Sequence, residues 1–424
     1  MENIYNLLYQ NSTGIGAAAR QTARPPVKKP LAPIGAEGPF YVRQNMLRKK
    51  GMSRMTNRPL LGVITTSIPS AQDPRSRQAD YTPKSVWCRL AKAAQEQGLD
   101  LCLFRPEDLS PRKGSITGYV PDADGETWTR TEAPLPDIVY ENVYVHLATK
   151  PQVRTARRFF LQRGTPLFNP RLGNKHQLAE WLHKDADLWQ HHPDTERLES
   201  PDLVFEWLDR YPTLYLKPLH GSSGQGILEV APSRKGRYAV RAAKFSNTKQ
   251  PLDVEMTRPE LTRLIRRECR RRPFLLQQGI DLLHIDDGKI DLRTHLQRNR
   301  AGEWEQVALI VKRGQPHSIV SNYHAGGSRH DWDWLQDWAR RERIPLPKRD
   351  EVLALSDRIA RAYTEKAPHL ASLGLDLGID RQARLWLLDV NARPGRNILD
   401  ADQIARCAEL HAEFAAYLLQ LKRY

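Results

Sequence analysis

Leu385-Trp386-Leu387-Leu388-Asp389-Val390-Asn391-Ala392-Arg393-Pro394-Gly395 is the stretch from which the rest of the chain is best read. An apolar run ends in Asp-x-Asn and then breaks at Pro-Gly. On a strand, residues two apart face the same side. Asp389 and Asn391 therefore aim two oxygen-bearing side chains at one place, with Pro394 and Gly395 ending the strand behind them. Such ligands suit a hard cation such as Mg²⁺. Taken alone, the stretch reads equally well as a buried strand closing on a polar turn.

Just upstream lies Leu375-Asp376-Leu377. If it pairs with the first stretch across the turn at 378–384, Asp376, Asp389 and Asn391 converge. Further back, Ile290-Asp291-Leu292-Arg293-Thr294-His295-Leu296-Gln297 sets Ile290, Leu292 and Leu296 against a polar face of Asp291, Arg293, His295 and Gln297. Such a face meets water or lines a cleft. In a cleft, Arg293 is a fixed cation for a transferring phosphate. Residues 289–298 and 304–313 read as a hairpin around Asn299-Arg300-Ala301-Gly302. It ends in Lys312-Arg313-Gly314, and Ser321-Asn322-Tyr323-His324-Ala325-Gly326-Gly327 follows. Arg313 and Asn322 beside a Gly-Gly loop suit an anion, or the segment is a surface turn.

Leu214 and Leu216 alternate with Tyr215 and Lys217, which sets Lys217 opposite the leucines at a strand's end. Gly221-Ser222-Ser223-Gly224-Gln225-Gly226 comes next. Small residues let backbone N–H groups approach phosphate oxygens, and Lys217 adds charge nearby. No Gly-Lys-Ser/Thr ends the loop, so it is not a P-loop, and its spacing is G-x-x-G-x-G rather than G-x-G-x-x-G. A ligand-free hairpin tip is the alternative.

A chain of 424 residues has room for two or three domains. It has no apolar stretch of roughly 20 residues. Its start, Met1-Glu2-Asn3-Ile4-Tyr5, lacks a signal-peptide pattern, so a cytoplasmic protein is expected. Cys88, Cys102, Cys269 and Cys407 form no C-x-x-C pair, which argues against zinc or a disulfide framework. The net charge of +16 raises nucleic acid as a partner. In the Arg263–Arg272 run, however, Leu261, Leu264, Ile265 and Glu268 keep a helical period, so its arginines read as a solvated face. No stacking aromatics interleave with the basic residues, and no specific nucleic-acid partner is expected.

Residues 1–57 are basic and aperiodic, and read as a peripheral or mobile arm. Buried strands near 60–65, 99–104 and 137–140, with a helix over 84–97 stopped by Gly98, predict an α/β module with a parallel sheet within 58–150. Residues 151–424 continue with helices at 153–163, 175–182, 202–210, 331–343 and 350–366, and with the strand and hairpin above.

The order Lys175, Lys217 with the glycine loop, Gln277-Gln278-Gly279-Ile280, Asp291-Leu292-Arg293, Arg313, Asn322…Gly327, Asp376, Asp389-Val390-Asn391 resembles the ATP-grasp superfamily. Leu216-Lys217-Pro218…Gly226, Ser321-Asn322…Gly327 and Pro394-Gly395-Arg396 are similar to the YheC/YheD endospore coat-associated group. The resemblance runs from about residue 60 to the C-terminus and leaves the basic arm unexplained. It implies a small α/β pre-ATP-grasp domain followed by an ATP-grasp domain with subdomains near 171–276 and 277–424. Lys175, placed in a helix's first turn by Asn174, and Lys217 look like phosphate-contacting lysines. Gly221, Ser222, Ser223, Gly224 and Gly226 look like the loop over the phosphates, and Gln278 and Ile280 like the hinge that reads adenine. Asp376, Asp389 and Asn391 look like ligands of Mg²⁺, with two ions expected. Arg293, Arg313 and Asn322 look catalytic.

The implied reaction is ATP-dependent ligation of a carboxylate to an amine or thiol through an acyl phosphate, with association to spore coat proteins. Two departures bear on this. The metal-strand acid is Asp389, where Glu is frequent, and Gln277 and Gln278 stand where an acid is common, leaving Asp281 as a candidate for the ribose. A catalytically silent, nucleotide-binding component of the spore coat is the alternative.

Overall fold

The computed structural model describes residues 58–70, 72–73, 83–122, 125–144, 147–170, 172–219, 226–245, 250–316 and 327–422. The arm at 1–57, Gly221, Ser222, Ser223, Gly224 and Asn322 lie outside them. Strand β1 (Leu60–Thr65) is buried along its whole length. It becomes the middle of a sheet because both of its faces are apolar. Helix α1 (Ser85–Glu96) follows and stops before Gly98, whose φ of 71° suits glycine. Next come β2 (Asp100–Phe104), the short β3 (Leu109–Ser110), the hairpin β4 (Ser115–Pro121) and β5 (Trp128–Pro134), then β6 (Ile138–Asn142), α2 (Pro151–Gln162) and β7 (Leu167–Phe168). The sheet order is β3-β4-β2-β1-β6-β7, with β5 on β4. The run β2-β1-β6-β7 is parallel.

Asn174 opens α3 (Lys175–His183) through a capping box: its side-chain oxygen accepts the Gln177 N–H at 3.0 Å, and Gln177 Oε1 accepts the Asn174 N–H at 3.0 Å. The short α4 (Ala186–Trp189), β8 (Thr195–Arg197) and α5 (Pro201–Leu208) lead into β9 (Leu214–Pro218), β10 (Leu228–Pro232), β11 (Arg237–Phe245) and β12 (Gln250–Thr257). Helix α6 (Arg258–Arg271) and β13 (Phe274–Gln278) complete this part. The second sheet runs β12-β11-β10-β9-β13-β8 and is antiparallel. Helix α6 buries Leu261, Leu264, Ile265 and Glu268, while Arg263, Arg266, Arg267, Arg270 and Arg271 face solvent.

The remaining elements are β14 (His284–Ile285), β15 (Gly288–Arg298), β16 (Trp304–Arg313), β17 (Ser328–His330), α7 (Trp332–Glu342), α8 (Arg349–Lys366), β18 (Ser372–Ile379), β19 (Leu385–Asn391) and α9 (Ala401–Leu421). The third sheet is antiparallel in the order β17-β16-β15-β18-β19, with β14 on β15. Its apolar face packs under α7 and α8 through Leu292, Leu375, Leu377, Leu335, Leu355 and Ile359. Helix α9 returns to the first sheet, where Ala408, Ala412, Phe414 and Leu418 join the core of Leu61, Val63 and Trp87.

The polar face of β15 departs from both outcomes read from its alternation. Asp291 and Arg293 enter a charged cluster, but His295 and Gln297 are 1 % exposed and lie under α9. Their burial is decided by a helix more than 100 residues further along the chain. Cys88, Cys102, Cys269 and Cys407 are all free. Among the described residues no helix is long and apolar enough to cross a membrane.

Candidate functional site

Two β-bulges build the site. Between β18 and β19 the register shifts after Asp376, so that Asp376 faces Asp389 while Leu377 faces Leu387. Leu388 is the extra residue, and its carbonyl lies 3.5 Å from Lys217 Nζ. Without that bulge Asp376 would oppose Leu388, and the two carboxylates would fall on opposite faces. Asn391, facing Gly374, continues the same strand.

The second bulge lies between β15 and β16, after His295. It places Lys312 opposite Asp291, on the face of Arg293. An unbroken hairpin would have set Val311 opposite Asp291 and Arg313 opposite Lys289, with Arg313 on the face of Arg293. Arg313 instead turns to the other face, where it donates to the Ile285 carbonyl at 3.1 Å and pairs with Asp286 at 2.8 Å. The structure therefore does not bring Arg313 to the cluster. Lys312 is the residue the sequence reading missed, because side-chain parity is visible in a sequence only if the bulge is known.

At the centre, Arg293 grips Asp376 through Nε–Oδ1 and Nη2–Oδ2 contacts, each 2.8 Å. Lys312 Nζ stands 2.8 Å from both Asp376 Oδ1 and Asp291 Oδ1. Burial would push the Asp376 carboxyl up, yet Arg293 and Lys312 hold it well below the usual carboxylate range. Burial raises the carboxyl of Asp291 despite the adjacent ammonium. The whole group is a buried, hydrogen-bonded ion cluster, in which deleting one partner strands the others at a cost of roughly 3–5 kcal/mol.

Lys175 and Lys217 reach the acid strand from two directions. Lys175, at the first position of α3, pairs with Asp389. Lys217 comes from β9 of the second sheet and is half-buried. Burial, then the neighbouring Lys175, lower its ammonium to about 8. Its ammonium contacts the Leu388 carbonyl, while Asp389 and Asp376 act on it at longer range. Asp376, Asp389, Asn391, Lys175, Lys217 and Arg293 thus come together from five elements, β18, β19, α3, β9 and β15.

Gln278 and Ile280 lie in the link from β13 to β14. The Gln278 N–H donates to Asp194 O at 2.9 Å, and the Gly279 N–H to Thr213 O at 2.8 Å. The Gln278 backbone donor is therefore already engaged, whereas Ile280 lies past the strand's end. Asp281 is exposed and pairs with Arg381 at 2.8 Å. Gly226, with φ of 70°, ends the glycine loop at the start of the return toward β10. A joint unseen in the sequence links the second and third sheets: Lys289 of β15 pairs with Glu229 of β10 at 2.8 Å and contacts the Tyr215 hydroxyl, while Arg241 holds the other Glu229 oxygen.

Among the described residues no three His, Cys, Asp or Glu side chains cluster as a metal cage. The donors present are two carboxylates and a carboxamide. That set fits Mg²⁺, which binds through one or two carboxylates and completes its shell with phosphate oxygens and water.

A family model for YheC/D-like ATP-grasp matches residues 164–418. The endospore coat-associated protein YheC of Bacillus subtilis (strain 168) is 25% identical over 333 residues, spanning 76% of this chain and 86% of that protein. YheD of the same organism is 25% identical over 368 residues, spanning 85% and 79%. Among solved structures, the D-alanine–D-alanine ligase from Coxiella burnetii aligns over 87% of this chain and 99% of its own with a TM-score of 0.44 and 11% identity.

Proposed function

The chain belongs to the YheC/D-like ATP-grasp family, and on that premise we propose that it is an ATP- and Mg²⁺-dependent ligase. It joins a carboxylate to an amine or thiol through an acyl phosphate. The observation that supports this reading is that Lys175 pairs with Asp389 and Lys217 reaches the Leu388 carbonyl, on the strand where Asp389 faces Asp376 and Asn391 follows. The three sheets then correspond to a small α/β domain near 58–150 and two ATP-grasp subdomains near 171–276 and 277–424.

In this proposal Lys217 receives the triphosphate, because among the described residues its ammonium contacts a carbonyl, whereas Lys175, Arg293 and Lys312 are each held by a carboxylate. Lys175 exchanges Asp389 for a phosphate oxygen. Asp376, Asp389 and Asn391 would hold Mg²⁺, which screens phosphate charge when bound. Arg293 and Lys312, fixed on Asp376, face the growing negative charge of the transferring phosphoryl group. Positioning and electrostatics carry such a transfer, and no side chain need become covalently attached. The amine or thiol then displaces phosphate from the activated acyl group. Endospore coat association follows the names of the two relatives.

The self-compensating ion pairs at Asp389 and Asp376 also suit a silent nucleotide-binding coat component. Titration with a nonhydrolysable ATP analogue, with and without Mg²⁺, tests the shared premise; absence of Mg²⁺-dependent binding overturns both readings. ADP release with paired acids and amines or thiols then separates them. Release is expected for the ligase, and binding without release across a broad panel identifies the silent component.

A further inference from the structure

Tyr215 and Lys217 stand two residues apart on β9, so their side chains share one face of the strand. Both reach the third sheet. Lys217 Nζ meets the Leu388 carbonyl of β19 at 3.5 Å, and the Tyr215 hydroxyl accepts from Lys289 of β15. The same hydroxyl donates to Glu229 of β10, which lies opposite Tyr215 in the second sheet. Lys289 Nζ also reaches Glu229 itself, at 2.8 Å, and Arg241 of β11 takes the other carboxylate oxygen.

The charge states follow from the surroundings. Glu229 is 2 % exposed. Burial opposes its charge, but Lys289, Tyr215 and Arg241 hold its carboxyl below the usual carboxylate range. Burial and the charge of Glu229 push the Tyr215 phenol well above its ordinary 10, so it keeps its proton. A protonated phenol gives one hydrogen bond and can take another. Here it does both, once toward each sheet.

Two ammonium groups lie near the Tyr215 ring, Lys289 Nζ at 5.2 Å from its centroid and Lys217 Nζ at 5.9 Å. Both are within reach of the ring's negative face. What holds them differs. Lys289 is tied to the hydroxyl and to Glu229, whereas Lys217 meets a backbone carbonyl. Burial and Lys175 lead the lowering of the Lys217 ammonium, and Lys289 adds to it. Like charges this near repel, and the hydroxyl with Glu229 keeps Lys289 on its own side. On β15, Lys289 shares a face with Asp291 and Arg293, so the network runs on into the ion cluster.

We infer that Tyr215 is a positioning residue for Lys217. Its hydroxyl fastens the second sheet to β15 and keeps Lys289 on Glu229, and so holds the neighbouring lysine at the distance from β19 at which it receives a triphosphate. The hydroxyl acts through Lys217 and needs no contact with the nucleotide. The inference rests on the ATP reading for what Lys217 receives, but not for the link between the sheets.

The test is calorimetric titration of the full chain with a nonhydrolysable Mg²⁺–ATP analogue and with adenosine. It is run on the wild type, Tyr215→Phe, Lys217→Met and the double variant. Tyr215→Phe keeps the ring and loses the hydroxyl. It should weaken the analogue roughly three- to tenfold, the worth of one hydrogen bond, and leave adenosine affinity unchanged. In the Lys217→Met background the same change should no longer affect the analogue, because the lysine it acts through is gone. Unchanged analogue affinity in Tyr215→Phe, equal losses for analogue and adenosine, or an equal loss with and without Lys217 each overturns the inference. Urea unfolding of the wild type, Tyr215→Phe, Lys289→Met and their double variant tests the link without nucleotide. The two changes should cost less together than the sum of their separate costs, and strict additivity overturns the inference. Coupled unfolding in a protein whose wild type binds no analogue would count against the ATP reading alone.

Discussion

At Lys217, two demands oppose each other. Burial and the neighbouring Lys175 lower its ammonium from 10.5 to about 8. Between those values the unfolded chain holds a proton that the folded chain has released, so stability rises with pH across that window; the full penalty is present below about pH 8. Anion affinity has the opposite sign, because the free protein loses this charge as pH rises through about 8. Bound phosphate raises the ammonium again and moves the fall to higher pH. Lys217→Met should therefore be more stable than wild type at pH 7 yet bind the Mg²⁺–ATP analogue about 10- to 100-fold more weakly, the loss of one charge-assisted contact of about 1.5–3 kcal/mol. Its affinity should also lose the decline above pH 8. Thermal unfolding and analogue titration from pH 6.5 to 9.5 check this; an unchanged pH profile in the variant would remove Lys217 from the phosphate site.

The elements carry the next level of control, and there a glycine is decisive. A Cβ on Gly374 of β18 would lie 2.6 Å from Pro394 Cβ and 3.1 Å from Arg293 Nη1. The contact presses the loop after β19 onto the strand that holds Asp376. Gly374→Ala should push Pro394 outward, lower stability by about 1–3 kcal/mol as other overpacked sites do, and weaken the Mg²⁺-dependent part of analogue binding more than the Mg²⁺-independent part. Chemical denaturation and paired titrations measure both, and a variant equal to wild type in each would show the loop to be pliable. Much at this scale was legible in the chain. The Asn174 cap, the β15–β16 hairpin and the β18–β19 pairing follow from local composition and alternation. The two bulges did not, because an extra apolar residue beside another, Leu388 after Leu387 and Val307 before Ala308, reads equally well as a strand buried on both faces. The β15–β16 bulge is what turns Lys312 toward the cluster and Arg313 away from it. The burial of His295 and Gln297 was equally hidden, since it depends on α9 packing back across the molecule.

Over the whole molecule, two buried ionic joints hold three sheets around the centre. Lys289–Glu229 joins the second sheet to the third. Glu141 joins the first to the loop after β19: Arg157 grips it at 2.7 and 2.6 Å, and Arg393 donates to it at 2.6 Å and to the Asn169 carbonyl at 3.1 Å. Asn169 in turn accepts from the Ser372 N–H and hydroxyl, at 3.3 and 3.2 Å, and so reaches the start of β18. Burial opposes ionisation of Glu141, but Arg393 and Arg157 outweigh it and hold the carboxyl below 4.5. Its stabilisation is therefore complete above pH 4.5 and is lost as the pH falls through the lower folded-state value. Glu141→Gln leaves two guanidinium groups facing a neutral amide and should cost roughly 3–5 kcal/mol at pH 7. The gap from wild type should narrow once the pH drops below the usual carboxylate range, where the wild-type carboxyl also becomes neutral. Because Arg393 stands two residues from Asn391, the variant should also weaken Mg²⁺-dependent analogue binding at temperatures where it remains folded. Urea unfolding at pH 7 and at a series of lower pH values, with analogue titration at pH 7, examines both parts. A stability gap independent of pH would show that the loss comes from packing, and unchanged Mg²⁺-dependent binding would show that the first sheet does not position the acid strand.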